Sequence, residues 1–144
     1  MKRMLLVVPL VVAALACERP DMNVQMTSRG ELRIAVPDAG MPAFEASHAF
    51  GNVKKGESGV VTFQVVNTGE DPLDIRSFKI ETAATDSGAF FVSGGTGALN
   101  VGVNRTFRVT FTPVREGAYT GALVFETNAN SERARLSMSG AGTP

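Results

Sequence analysis

The sequence predicts an all-β chain folded as a Greek-key β-sandwich of about seven short strands. Three observations carry this expectation. Short runs of β-branched and aromatic residues alternate apolar with polar, as where Arg108 and Thr110 separate Phe107, Val109 and Phe111. Turn residues interrupt these runs about every ten positions. From residue 42 onward, no apolar period of 3.6 persists for ten residues, which leaves no place for an amphipathic helix.

The chain starts with a segment of a different kind. Lys2 and Arg3 precede thirteen uncharged residues, Met4 to Ala16. A helix of that length spans roughly 20 Å, short of the roughly 30 Å hydrocarbon core, so residues 1–16 read as a signal peptide and not a membrane span. The segment ends Ala14-Leu15-Ala16-Cys17, which resembles the lipobox of bacterial lipoproteins, with Leu15 one place later than the usual Leu. That resemblance implies cleavage between Ala16 and Cys17, and a diacylglycerol on the sulfur of Cys17, the only cysteine. Two other readings stay open: ordinary secretory cleavage at Ala14-x-Ala16, leaving a free thiol, or retention of the segment as a short anchor. Two acyl chains suffice for stable anchoring. The expected location is therefore the bacterial cell envelope, lipid-anchored, with the domain facing the periplasm or the exterior.

Residues 17–41 read as a lipid-anchored tether, with Pro20, Pro37, Gly30, Gly40 and no aromatic residue. Within it, Glu31 to Val36 alternates polar and apolar and is open to reading as a strand. All nine Phe lie between Phe44 and Phe125, so the packed domain is placed at 42–142. Phe44 to Phe50 reads as an edge strand. Val60 to Asn67 is the next, with Val61, Phe63 and Val65 on one face, and Asn67-Thr68-Gly69-Glu70-Asp71-Pro72 turns the chain. Leu73, Ile75, Phe78 and Ile80 mark a strand whose apolar positions change parity between Ile75 and Phe78, which predicts a bulge or bend. It is a second edge candidate, with Arg76 and Lys79 exposed for a partner. Ala89 to Val92 and Phe107 to Phe111 follow, and Pro113 ends the latter. The last two strands are Ala118 to Thr127, with Tyr119, Leu123 and Phe125 inward, and Arg133 to Ser139, with Ala134, Leu136 and Met138 inward.

The order of motifs in this stretch is family-like: Phe50-Gly51-Asn52-Val53, Val65-Val66-Asn67-Thr68-Gly69, Pro72-Leu73-Asp74-Ile75, Val109-Thr110-Phe111-Thr112-Pro113, Gly117-Ala118-Tyr119-Thr120-Gly121 and Leu136 to Gly142. It resembles the choice-of-anchor-D or abnormal-spindle/Hydin (ASH) type of immunoglobulin-like domain, related to major sperm protein and to the pilus-chaperone sandwich. The resemblance implies an immunoglobulin-like fold and a role in binding or assembly. Gly117-x-Tyr119-x-Gly121 resembles the tyrosine corner, with Gly121 where immunoglobulin domains carry a disulfide cysteine. Gly56 and Gly69 suit turn positions with positive φ.

Composition narrows the function classes. The formal charge is zero, and removal of Lys2 and Arg3 leaves 12 basic against 14 acidic residues. No basic block is present to neutralise phosphates, so nucleic acid is not an expected partner. One His and one Cys do not supply a zinc site, and no metal or other cofactor is expected. No base is paired by motif with Ser87, Ser93 or Ser139, and Gly94-Gly95-Thr96-Gly97 lacks the Lys and helix of a phosphate loop. His48 reads as a surface histidine. The expectation is a membrane-anchored, non-catalytic protein-interaction or structural module with a protein partner and no small-molecule substrate. The alternatives are a chaperone-like binder of extended segments by strand addition, for which Arg76, Lys79 and Arg115 are the carboxylate-anchor candidates, and, behind it, a metal carrier.

Overall fold

A computed structural model describes residues 29–37, 40–129 and 133–144. Ala16, Cys17 and the tether before Arg29 lie outside the described residues. Among the described residues nine strands form two sheets: β1 (Leu32–Ala35), β2 (Glu45–Lys54), β3 (Gly59–Asn67), β4 (Leu73–Thr82), β5 (Phe90–Ser93), β6 (Gly97–Leu99), β7 (Asn104–Phe111), β8 (Gly117–Thr127) and β9 (Arg135–Thr143). A 3-10 turn at Ala84–Asp86 follows β4, and among the described residues no helix is long and apolar enough to cross a membrane. The strand order is β1-β3-β7-β5 in one sheet and β2-β9-β8-β4-β6 in the other. All pairs are antiparallel except β2 with β9.

The apolar alternation produces this arrangement because successive side chains on a strand face opposite sides, and a sandwich buries one side of each sheet. Val61, Phe63 and Val65 face inward from β3, and Phe107, Val109 and Phe111 from β7; all six are buried. They meet Tyr119, Leu123 and Phe125 of β8 and Leu136 and Met138 of β9. Phe63, Phe78, Phe107 and Phe125 form one aromatic cluster, in which Phe107 and Phe125 pack edge to face at 5.0 Å between ring centroids. Phe50, Phe90, Phe111 and Tyr119 form a second, and no disulfide joins the sheets among the described residues.

Two strands exceed the expected seven. β6 is three residues long, too short for a period-2 signal. β1 is the alternating stretch of the tether, paired with β3 from Leu32 opposite Asn67 to Ala35 opposite Gln64. Leu32 and Ile34 are each 1% exposed, so this part of the chain belongs to the core. The parity change between Ile75 and Phe78 appears as a register shift between Ile75 and Ser77 against β8.

Candidate functional site

The polar groups inside the sandwich hold segments of the chain together. Tyr119 is 1% exposed, and its hydroxyl accepts the backbone N–H groups of Val114 (3.0 Å) and Arg115 (2.7 Å) while donating to the Arg115 carbonyl (3.1 Å). This fastens the β7–β8 loop to the core in the manner of a tyrosine corner. Pro113, just past β7, is buried, and its carbonyl accepts the Gly56 N–H. Gly117 opens β8 at φ +107°, where a Cβ is penalised.

Arg115, an anchor candidate in the sequence, is occupied. Its guanidinium lies 4.4 Å above the Tyr119 ring and binds the Asp86 carboxylate, which is buried at the 3-10 turn. Asp86 also accepts the Thr120 N–H at 3.0 Å and the Thr85 hydroxyl at 3.2 Å. The backbone bond from Thr120 and the Arg115 and Thr85 side chains lower its pKa; burial opposes them.

Asn67 is a second lock. It is fully buried, its Oδ1 accepts the N–H groups of Glu31 (3.1 Å) and Gly69 (3.0 Å), and its Nδ2 donates to the carbonyls of Asp71 (2.8 Å) and Leu99 (3.0 Å). One amide thus joins the start of β1, the turn after β3 and the end of β6. Gly56 has the expected positive φ, but Gly69 does not. Gly69 is required instead by close approach: a Cβ there would lie 2.3 Å from the Arg29 carbonyl oxygen. Neither Asp86 nor Asn67 was assigned a role from sequence, because a turn acid and a turn amide are ordinary and their partners lie far along the chain.

The edges differ from one another. β2 is an edge over its whole length and carries a register shift between Ala49 and Asn52. His48 on β2 meets the Phe50 ring edge to face at 4.7 Å, and burial lowers its pKa from 6.5. β4 is internal only where β6 covers Leu73 to Ile75; Arg76 falls in the register shift, and residues 77–82 pair with β8 on one side and, among the described residues, with no strand on the other. Arg76 and Lys79 lie in this open half and are exposed. They are not brought together. Lys79 pairs with Glu81 at 3.1 Å, and Glu81 also meets Arg135 of β9 at 3.5 Å. Arg76 lines a polar cleft of about 320 Å³ with Glu126, Thr127, Ala129 and Arg133.

Between β2 and β4 the outer face of the five-stranded sheet is a shallow concavity of about 580 Å³, floored by small residues including Ser47, Ala49, Thr120, Ser137 and Ser139. Among the described residues no three His, Cys, Asp or Glu side chains converge on a metal-sized site. Arg105 is spent on the carbonyls of Gly95, Gly97 and Ala98, bracing the β5–β6 connection.

Comparison with known proteins follows the same outline. A family model described as HYDIN/CFA65/VesB-like, Ig-like domain matches residues 43–141. No curated protein matches the chain in sequence. Among solved structures, the ASH / PapD-like domain 7 of human CEP192 superposes with a TM-score of 0.55 at 18% identity, covering 99% of this chain and 96% of that one. A protein of unknown function from Porphyromonas gingivalis gives a TM-score of 0.62 at 12% identity, over 83% of this chain and 51% of that one. The VesB protease of Vibrio cholerae gives 0.56 at 14% identity, over 80% of this chain and 32% of that one. At these identities the likeness is one of fold.

Proposed function

Because this chain belongs to the HYDIN/CFA65/VesB-like Ig-like domain family, we propose that it is a non-catalytic protein-interaction or structural module, held by a lipid on Cys17 to a membrane of the bacterial cell envelope. The observation that carries the reading is the contrast between interior and edges. Asp86, Arg115, Tyr119 and Asn67 are bonded to other parts of the fold, while β2 and residues 76–82 of β4 each present a side with no strand partner among the described residues. Unpaired N–H and C=O groups along an edge are the chemistry by which sheets take partners.

The reading is tested in intact cells. A photocrosslinking residue at position 77 or 47 is expected to capture a partner, and recovery of only uncrosslinked chain from both positions contradicts an interaction role. The anchor has its own test: a palmitate analogue should label the wild type but not Cys17→Ser, and globomycin should block processing. Unlabelled protein in the soluble fraction overturns it.

One observation favours a second reading, chaperone-like addition of an extended segment to β4. Arg76 and Arg133 line the cleft at the end of the open half of that strand, where a carboxylate would be held. Arg115 does not serve, since Asp86 holds it, and Lys79 does not line that cleft. Loss of partner capture in Arg76→Ala, with the fold intact, would favour this reading.

A further inference from the structure

We infer that the open half of β4 pairs with the same strand of a second copy, in antiparallel register centred on Ile80. The inference rests on the interaction reading above and names the partner. Of the strands at the sheet edges, β4 offers the most regular template. β2 carries its register shift midway, and shifts blunt edges. β5 spans only Phe90–Ser93. From Ser77 to Thr82, β4 runs in unbroken register with β8.

Charge selects both the partner and the register. Lys79 and Glu81 lie on the outer face, opposite Val124 and Ala122 of β8. In an antiparallel pair of identical strands, backbone groups that point to the free edge alternate, so the two-fold axis must pass through a residue position. An axis at Lys79 sets Lys79 against itself, and an axis at Glu81 sets Glu81 against itself. Phe78 as centre leaves both charges without an opposite. Only Ile80 places Lys79 across from the partner's Glu81 and Glu81 across from the partner's Lys79. Charges on an edge usually guard against pairing. Opposite signs two residues apart instead repel most sequences and match their own antiparallel copy. Arg135, reaching Glu81 from β9, sets that carboxylate's position on the same face.

The inner face agrees. Phe78 and Ile80 point into the sandwich but are only partly buried, because β6 begins at Gly97, opposite Ile75, and leaves the rest of β4 uncovered. Pairing about Ile80 sets Ile80 against its counterpart and Phe78 against the partner's Thr82. The sheet would continue across the dimer, and these side chains would lose their remaining exposure to water.

The test is sedimentation of the full chain in detergent, at rising detergent-to-protein ratios so that two anchors sharing a micelle are diluted out. The wild type should dimerise. Either substitution turns two opposite-charge cross-strand pairs into two like-charge pairs, so Lys79→Glu or Glu81→Lys should each weaken the dimer by about tenfold or more. An equimolar mixture of the two variants restores opposite charges at every cross-strand position and should recover the dimer, as should the double swap K79E/E81K. Unchanged circular dichroism and a single cooperative melt of the single variants show that the fold is intact. A monomeric wild type, single variants that dimerise like it, or a mixture that stays monomeric would each overturn the inference. If the wild type is monomeric while the crosslinker at position 77 captures a different protein in cells, self-pairing fails and the interaction reading stands. If it is monomeric and nothing is captured at either position, both fail.

Discussion

Truncating Asn67 removes the amide that ties β1, the turn after β3 and β6 to one another. Asn67→Ala leaves the N–H groups of Glu31 and Gly69 and the carbonyls of Asp71 and Leu99 without their side-chain partner. A buried polar group left unpaired costs about 1–3 kcal/mol. The bond to Leu99 is the fully buried one; the other three lie at part-buried positions where water can partly replace the amide. The expected loss is therefore about 3–5 kcal/mol, below the sum of four full penalties. For a domain of this size that lowers the melting temperature by roughly 10–20 °C. Asn67→Asp conserves the shape and is the sharper probe. It sets a carboxylate oxygen against the carbonyls of Asp71 and Leu99, at the 2.8 and 3.0 Å now spanned by donated hydrogens, and should be at least as damaging at neutral pH. Thermal melts of the full chain and hydrogen exchange of individual amides provide the assay. Exchange at Glu31 and Gly69 should accelerate beyond what global destabilisation explains. Asn67→Asp melting with the wild type, or the two amides keeping their protection in Asn67→Ala, would refute the assignment of this residue as a joint between segments.

Other perturbations test other parts of the fold. Tyr119→Phe removes a hydroxyl that accepts two backbone N–H groups and donates to one carbonyl, and should destabilise by about 1–3 kcal/mol in urea titrations; coincident curves would contradict the corner. Phe63→Ala, Phe107→Ala and Phe111→Ala each empty a site no more than 1% exposed, and should each cost about 3–5 kcal/mol by the same titration, a loss under 1 kcal/mol being inconsistent with the packing. The Asp86 carboxyl titrates below its ordinary 3.8 in the folded chain, so the unfolded chain takes up the proton first. Its contribution is complete above that ordinary value and is lost as pH falls through the lowered folded one. Stability measured down the acid limb below about pH 4 should fall less steeply in Asp86→Asn than in the wild type, and parallel limbs would remove Asp86 from the acid response.

Much of the architecture was legible because a strand's period-2 pattern is local. Val61-x-Phe63-x-Val65 and Phe107-x-Val109-x-Phe111 state which face is buried without reference to any other strand, and the structure buries those faces. The parity change before Phe78 likewise announced its register shift, and Tyr119 with Gly117 announced the corner that ties down the β7–β8 loop. The sites were less legible, because their partners are distant in the chain. Asp86 and Arg115 are 29 residues apart, and Asn67 reaches back 36 residues to Glu31 and forward 32 to Leu99. Gly69 reads as a turn glycine, yet the backbone of Arg29 closing over it is what excludes a side chain.

What the amino-acid sequence determined by itself is therefore seven of the nine strands, the inward face of those that alternate clearly, and the order in which they follow. What only the tertiary structure decided is adjacency: that β1 closes one sheet against β3, that β6 covers β4 only to Ile75, and that Lys79 and Glu81 are left on an open edge. The physical reason is that burial on a strand is set by side chains two residues apart, whereas an edge exists only where no other strand has arrived, and that depends on how the whole chain packs.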